Sequence, residues 1–371
     1  MSELRAVTIA HTGRGNAGHG LHRAFEDNPR VRMVALADPD TTGRAELAAE
    51  CDADRTYGDY REMLACERPD IAVVARHWFD DNRVEEVLDA IECGVRGVYL
   101  EKPVAAWPDQ ARAICAAADG AGVHVVLAHR SREHPTLQMI RDCLGRSEWG
   151  SLTRIRAMDK GDHRVGVEEA MIHAPHAFDA MLFVVGEAPV QVAATVLQNG
   201  RFATRADAVG RTENGAGPIA GDRITATYIF PGGSIGTFES VPVGDGSYGS
   251  RRLGTDFYFQ HAVVTARNQP AGEFQMFPRG EVMPTDHQLG WSVLKAQETW
   301  APNGIDPMLW SNQLHGRELV RLVEGGDIRS TTCSVHEATV GVEMLVGAYR
   351  SHLEGRAIRL PLEDPGNPWT E

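Results

Sequence analysis

Short apolar runs recur through the first third of the chain, each separated from the next by a stretch with helical spacing. Ala6–Ala10, Val31–Ala37, Ile71–Ala75, Val98–Leu100 and Val123–Ala128 are continuous and rich in β-branched residues. Between them, Gly18–Glu26, Arg44–Cys51, Tyr60–Cys66, Arg83–Cys93 and Asp109–Ala118 read as amphipathic helices. Strands that lack polar alternation are buried on both faces, so this order predicts βαβ units built on a parallel sheet.

The pattern changes after about His129. Leu137–Leu144 still has helical spacing, but Ser151–Ala157 begins a region of alternation. In "DRITATYIFPGGSIGTFES" the residues Ile224, Ala226, Tyr228 and Phe230 fall on one face, and Pro231-Gly232-Gly233 supplies a turn before a second strand. That is a hairpin signal and implies antiparallel pairing. Leu309–Val323 and Val335–Leu353 read as helices, the second opened by a capping box from Ser334 to Glu337, and Arg356–Leu362 reads as a last strand. No internal repeat is present. The expected order is a parallel α/β domain over 1–128, then an α+β domain over 129–371 dominated by an antiparallel sheet.

Composition narrows the partners. The 371 residues are 43% hydrophobic and 24% charged, with a formal net charge of −14, which argues against nucleic acid or an anionic membrane as the main partner. The N-terminus lacks the charged-then-apolar pattern of a signal peptide, and no apolar run approaches the ~18 residues of a spanning helix. Cysteines 51, 66, 93, 115, 143 and 333 form no C-x-x-C pair, so thiols in a reducing cytoplasm are expected rather than a disulfide framework.

Chemistry enters at Gly13-Arg-Gly15-Asn-Ala-Gly18, a G-x-G-x-x-G sequence that follows a predicted strand and opens a predicted helix. In that setting Gly13 makes the tight turn, Gly15 lets the backbone approach a pyrophosphate, and Gly18 allows close packing on the sheet. Asn16 and Ala17 complete the turn, whose N–H groups face the phosphates. Asp38 closes the second strand 20 residues after Gly18, where a carboxylate accepts from ribose hydroxyls and repels a 2′-phosphate. The nearest arginine is Arg44, so NAD is favoured over NADP.

A further set of motifs carries a resemblance. Val98-Tyr-Leu-Glu-Lys-Pro103 ends a strand in Glu-Lys-Pro; "AHRSREHPTLQMIRDCLGRSEWGSLTRIRA" follows, and then "HAPHAFDAMLFVVG", with His176 three residues before Asp179. Together with the glycine turn, these make the chain resemble the glucose–fructose oxidoreductase/inositol dehydrogenase (Gfo/Idh/MocA) family over most of its length. The resemblance implies a Rossmann NAD-binding domain, a second domain with a large open sheet, and an active site between them. It also implies hydride transfer between nicotinamide and a secondary alcohol of a sugar, sugar derivative or cyclitol, and homodimers or homotetramers formed through the open sheet. The family's catalytic lysine and histidine correspond to Lys102 and His176, and Pro103 is expected to be cis. A histidine suits proton removal near neutrality, and an ammonium steadies the developing alkoxide. We count Arg76, His77, Trp78, Glu101 and Lys102 with the glycine turn as cofactor contacts. Lys102, Arg130, His173 and His176 form the substrate set, and Lys102, His173, His176 and Asp179 the catalytic set.

Two positions depart from the family pattern. Its members usually have an aspartate four residues before the signature histidine; here that residue is Ile172, which moves no proton. His173 stands beside it as a substitute, and Asp179 either orients His176, contacts substrate or serves the helix face. After the Ile71–Ala75 run the chain reads "ARHWFDDN", so His77 and Trp78 either line the nicotinamide side of the cleft or pack over the sheet edge. These departures keep two alternatives open: a redox-neutral NAD-dependent lyase or glycosidase working by transient sugar oxidation and elimination, and a non-catalytic NAD-bound sensor. A metal site is not expected, because His163, His173, His176 and Asp179 lack the i,i+4 histidines and intervening glutamate of a zinc protease. Substrate choice is expected from the loops Gly244–Arg252 and Gln269–Asp286; Arg251 and Arg252 either meet a phosphate or, the favoured reading, belong to a flexible surface loop.

Overall fold

A computed structural model of the protein describes residues 3–14, 18–76, 82–145, 148–161, 166–210, 212, 215–242, 252–267, 272–283, 288–296 and 300–370. The strands are β1 (Leu4–Ile9), β2 (Val31–Ala37), β3 (Arg55–Tyr57), β4 (Ile71–Val74), β5 (Gly97–Leu100), β6 (His124–Leu127), β7 (Leu152–Met158) and β8 (Gln191–Gln198). They continue as β9 (Arg201–Phe202), β10 (Arg223–Ile229), β11 (Ile235–Ser240), β12 (Gly254–Phe259), β13 (Val263–Arg267), β14 (Glu273–Phe277), β15 (Ser292–Val293) and β16 (Ile358–Arg359). The α-helices are α1 (Thr41–Glu50), α2 (Tyr60–Glu67), α3 (Asn82–Glu92), α4 (Pro108–Ala121), α5 (Pro135–Asp142), α6 (Val167–Val185), α7 (Pro307–Val323) and α8 (Val335–Glu354).

Two compact units divide the chain: Met1–Arg130 with Ala301–Thr339, and Ser131–Trp300 with Val340–Glu371. In the first, six parallel strands run in the order β3-β2-β1-β4-β5-β6, the Rossmann arrangement. Every residue of β4 and β5 is buried, as their unbroken apolar sequence requires. Asp40 and Asp59 start α1 and α2 by accepting the N–H groups of Gly43 and Arg61.

One expected helix is absent from this unit. Gly18–Arg23 forms 3-10 turns instead, with His19 at φ 53° and Gly20 at φ 79°. Left-handed backbone there breaks i→i+4 bonding. The chain goes on through shorter i→i+3 bonds such as Ala24 N–H to Leu21 O and Asn28 N–H to Phe25 O.

The extent of the first unit also differs from the expected 1–128, because residues 301–339 return to it. The cause is apolar area on α7. Leu319, Val320, Leu322 and Val323 share one core with Leu21, Phe25, Tyr99 and Val126. At Gly97 an added Cβ would lie 2.8 Å from both Leu319 and Val323, so the helix comes close only because β5 begins with glycine. The segment before α8 then covers the sheet edge, with Leu127 N–H donating to Cys333 O and a bridge between Val126 and Ser334.

The second unit holds a sheet in the order β15-β14-β13-β12-β7-β11-β10-β8-β16, with β9 on β8. All its pairings but β7–β11 are antiparallel, among the described residues. The expected hairpin is β10–β11, registered Ile224 to Ser240 and Tyr228 to Gly236, with the predicted inward residues buried. Helix α6 lies on the buried face of the sheet, where Phe178 meets Tyr228 and Phe238 edge-on at 5.3 and 5.2 Å. The final strand is shorter than expected: only Ile358 and Arg359 pair with β8, since Pro361 brings no N–H to a ladder. Among the described residues no helix is long and apolar enough to cross a membrane.

Candidate active site

The first unit gathers its candidate residues at the carboxyl ends of β1, β2, β4 and β5, the edge at which parallel sheets of this kind bind ligands. After β1 the chain makes a 3-10 turn over Thr12–Arg14. Thr12 donates both its N–H and its hydroxyl to Asp38 Oδ2, each at 2.9 Å, and Asp40 N–H donates to Asp38 Oδ1 at 2.9 Å. Arg44 donates to the Asp38 carbonyl at 2.8 Å. The buried Asp38 carboxylate therefore ties the glycine turn to the end of β2. Three of its roughly four acceptor positions are taken by the chain, so a ribose hydroxyl would share an oxygen with Thr12 or Asp40.

The glycines have specific reasons to be there. Gly18 has φ +52°, and a Cβ on it would sit 2.7 Å from the carbonyl oxygen of Ala75. The third glycine of the motif thus lets the turn press against the end of β4. Gly43 is required as well, because a Cβ there would fall 1.8 Å from Thr12 Oγ1. These close backbone approaches fit a dinucleotide-binding turn. Gly15, Asn16, Ala17, His77 and Trp78 lie outside the described residues, as do His163 and Arg251.

At the end of β5, Glu101 and Lys102 are buried and the Lys102–Pro103 bond is cis, as the resemblance implies. Glu101 faces His19 Nδ1 at 3.2 Å and Arg130 Nη1 at 3.5 Å, while Arg83 donates to its backbone carbonyl. Burial opposes its ionisation. The charge of Arg130, with contributions from His19 and Lys102, outweighs that and holds the carboxyl well below the usual range. Arg130, expected to contact substrate, is thus part of the cation cluster around Glu101. Arg76, expected to contact cofactor, forks onto Glu86 of α3 at 3.0 and 2.5 Å.

Sequence reasoning missed the α7 contribution. Tyr99 donates its hydroxyl to Asn312 Oδ1 at 2.9 Å and lies 3.2 Å from His315 Nδ1. Asn312 in turn donates to the His19 carbonyl at 3.1 Å, holding that left-handed residue beside Glu101. The signal available was a run of polar residues, Ser311-Asn312-Gln313, in a helix otherwise rich in leucine and valine.

In the second unit α6 carries the signature residues. It begins at Gly166, whose N–H donates to Ser240 Oγ at 2.7 Å, and a Cβ at Gly166 would strike the Asp222 backbone at 2.4 Å. At about 100° per residue, Glu169, His173 and His176 fall within about 60° of one another around the helix. His173 Nδ1 lies 2.6 Å from Glu169 Oε1, one helical turn back. The His173 and His176 rings are near-parallel, their centroids 6.5 Å apart, and His176 is the more exposed. Asp179, expected to orient His176, contact substrate or serve the helix face, receives Arg132 through Nε and Nη2, each 2.8 Å from Oδ1. Arg252, a candidate phosphate contact, is bound to Asp159 at 2.9 Å and Glu239 at 3.1 Å.

A parallel sheet in the order 3-2-1-4-5-6, a glycine turn pressed onto it and a carboxylate closing its second strand define the NAD-binding Rossmann class. Residues 7–129 match the family model described as "oxidoreductase family, NAD-binding Rossmann fold" (GFO_IDH_MocA). D-apiose dehydrogenase from Paraburkholderia graminis is 28% identical over 196 residues; that match spans 49% of this chain and 50% of the relative. An NAD-binding oxidoreductase from Klebsiella pneumoniae has a similar fold, with TM-score 0.74 and 19% identity over 98% of this chain and 100% of its own. Levoglucosan dehydrogenase, solved with NADH and levoglucosan, has TM-score 0.74 and 14% identity over 97% and 100% of the two chains.

Proposed function

We propose that the protein is an NAD-dependent oxidoreductase that moves a hydride between a secondary alcohol of a sugar, sugar derivative or cyclitol and the nicotinamide, with Lys102 and His176 as its acid/base pair. The observation that carries this reading is the end of β5, where Lys102 is buried beside the Glu101 cluster at the ligand-binding edge of the sheet. The match to D-apiose dehydrogenase and the fold shared with levoglucosan dehydrogenase support a carbohydrate substrate.

Bound NAD supplies the hydride acceptor, with Gly13, Gly18 and Asp38 as the described residues that would hold it. The chain's own task is the proton. His176, partly exposed, takes the hydroxyl proton as the carbon–hydrogen bond breaks. The Lys102 ammonium steadies the negative charge that develops on that oxygen, and returns a proton to it in the reverse direction. Lys102 lies next to the Glu101 carboxylate and helps to hold it ionised. A homodimer or homotetramer paired through the second unit's sheet completes the proposal; the exposed Thr225, Thr227 and Ile235 on its outer face support it, and mass in solution tests it.

Lys102→Ala decides the central claim. Turnover on a sugar and polyol panel is expected to fall by about 10²–10⁴-fold, with the Kd for NAD nearly unchanged by calorimetry. Undiminished turnover removes the role. NADH that accumulates with substrate supports net oxidation, and product formed without NADH points to the redox-neutral alternative.

A further inference from the structure

Two aspartates stand where a ribose-binding carboxylate belongs, in Asp38-Pro39-Asp40, and a spacing of about 20 residues from the glycine turn does not separate them. We propose that Asp40, rather than Asp38, receives the adenosine ribose hydroxyls of NAD and turns a 2′-phosphate away. This rests on the NAD-binding reading above and is independent of the sugar chemistry. Asp38 keeps its place in the site through the turn that it fixes.

Asp38 is committed to the protein itself. It is 0% exposed, and its two oxygens already receive three donors, two from Thr12 and one from Asp40 N–H. A ribose hydroxyl there would have to share an oxygen inside closed packing. Displacing any of the three donors instead would leave a buried N–H or hydroxyl without a partner. The same bonds lock Thr12 over α1, where its Oγ1 fills the space that a Cβ on Gly43 would need. Asp38 is thus built into the joint between the glycine turn, β2 and α1.

Asp40 has what Asp38 lacks. It is the N-cap of α1 and partly exposed, and its Oδ1 accepts Gly43 N–H at 2.7 Å, which fixes the side chain. Oδ2 makes no hydrogen bond among the described residues, and it faces the glycine turn. A Cβ on Gly13 would lie 3.4 Å from Asp40 Cβ and 3.7 Å from Oδ2. Gly13 is itself exposed, so its missing side chain leaves that oxygen open to a ligand lying along the turn. The two neighbouring hydroxyls of a ribose offer two donors to one anionic acceptor, and such bonds are the strong kind. A 2′-phosphate in the same place would bring like charges together. Arg44, one turn further along α1, gives Nη1 to the Asp38 carbonyl at 2.8 Å, so the arginine closest in sequence is drawn toward Asp38.

The test measures the Kd of NAD and of NADP by calorimetry on the full chain, with thermal unfolding alongside. Asp40→Asn keeps the helix cap and removes the charge, while Asp40→Ser keeps the cap but is too short to reach the ribose. Asp38→Asn is the contrast. In both Asp40 variants the Kd for NAD is expected to rise about 5- to 20-fold, and the ratio of the NADP Kd to the NAD Kd to fall about tenfold or more. Their unfolding midpoints stay within about 2 °C of wild type, since the cap is retained. Asp38→Asn lowers the midpoint and weakens both dinucleotides by a similar factor, because it loosens the turn. Unchanged NAD affinity in both Asp40 variants, or a ratio that moves in Asp38→Asn and not in them, overturns the proposal. Wild-type protein that binds neither dinucleotide defeats the NAD reading itself, a result distinct from wild type that binds NAD with an affinity indifferent to Asp40.

Discussion

Gly18 illustrates how much a single missing side chain controls. Its left-handed backbone and its contact with the Ala75 carbonyl leave no room for a methyl group. Gly18→Ala is expected to destabilise the protein by about 1–3 kcal/mol and to weaken NAD binding, because the turn must lift from β4. Chemical denaturation and calorimetric titration of NAD measure the two effects. At this scale the candidate site was partly legible. Gly13, Gly18, Asp38, Lys102 and His176 belong to motifs with fixed offsets, which local sequence carries. The partners of Asp179 and Arg76 were hidden, since Arg132 and Glu86 reach them only through tertiary packing.

Elements divide by how local their causes are. Strands β2 and β4, helices α2 and α7, and the β10–β11 hairpin follow the hydrophobic pattern within a residue or two, because burial sets their period. The turn at Gly18–Arg23 does not, since His19 takes an angle that its type seldom adopts and is held there by contacts distant in sequence, with Asn312 and Glu101. Helix α5 offers a pH test. Its cap, His134, accepts Thr136 N–H through Nδ1 and is enclosed by Phe274 and Trp300, with ring centroids 4.6 and 4.4 Å away. Burial pushes the His134 imidazole down to about 4. An unfolded histidine titrates near 6.5, so folding favours the neutral ring. That contribution is fully present above about pH 6.5 and is lost as pH falls toward about 4. His134→Asn keeps a capping acceptor without the titration. Thermal unfolding of this variant is expected to decline less steeply than wild type across that window.

At the scale of the molecule, the first unit is discontinuous: its core is closed by α7, more than 170 residues after β6. No pattern near residue 128 announces this, because an amphipathic helix does not declare which sheet it will cover. A fragment containing only residues 1–130 is expected to lack a cooperative thermal transition and to bind a hydrophobic dye, with the faces left by Leu319 and Val323 exposed. A cooperative, dye-free fragment would show that α7 is dispensable.

The same discontinuity sets an order on biosynthesis. A nascent chain that has released β1 through β6 must carry an uncovered apolar strip until the segment around Leu319 leaves the ribosome. At about 5–20 residues per second that interval is on the order of 10–40 s, long enough for a chaperone to bind and release. The nucleotide-binding half is thus encoded first and finished nearly last.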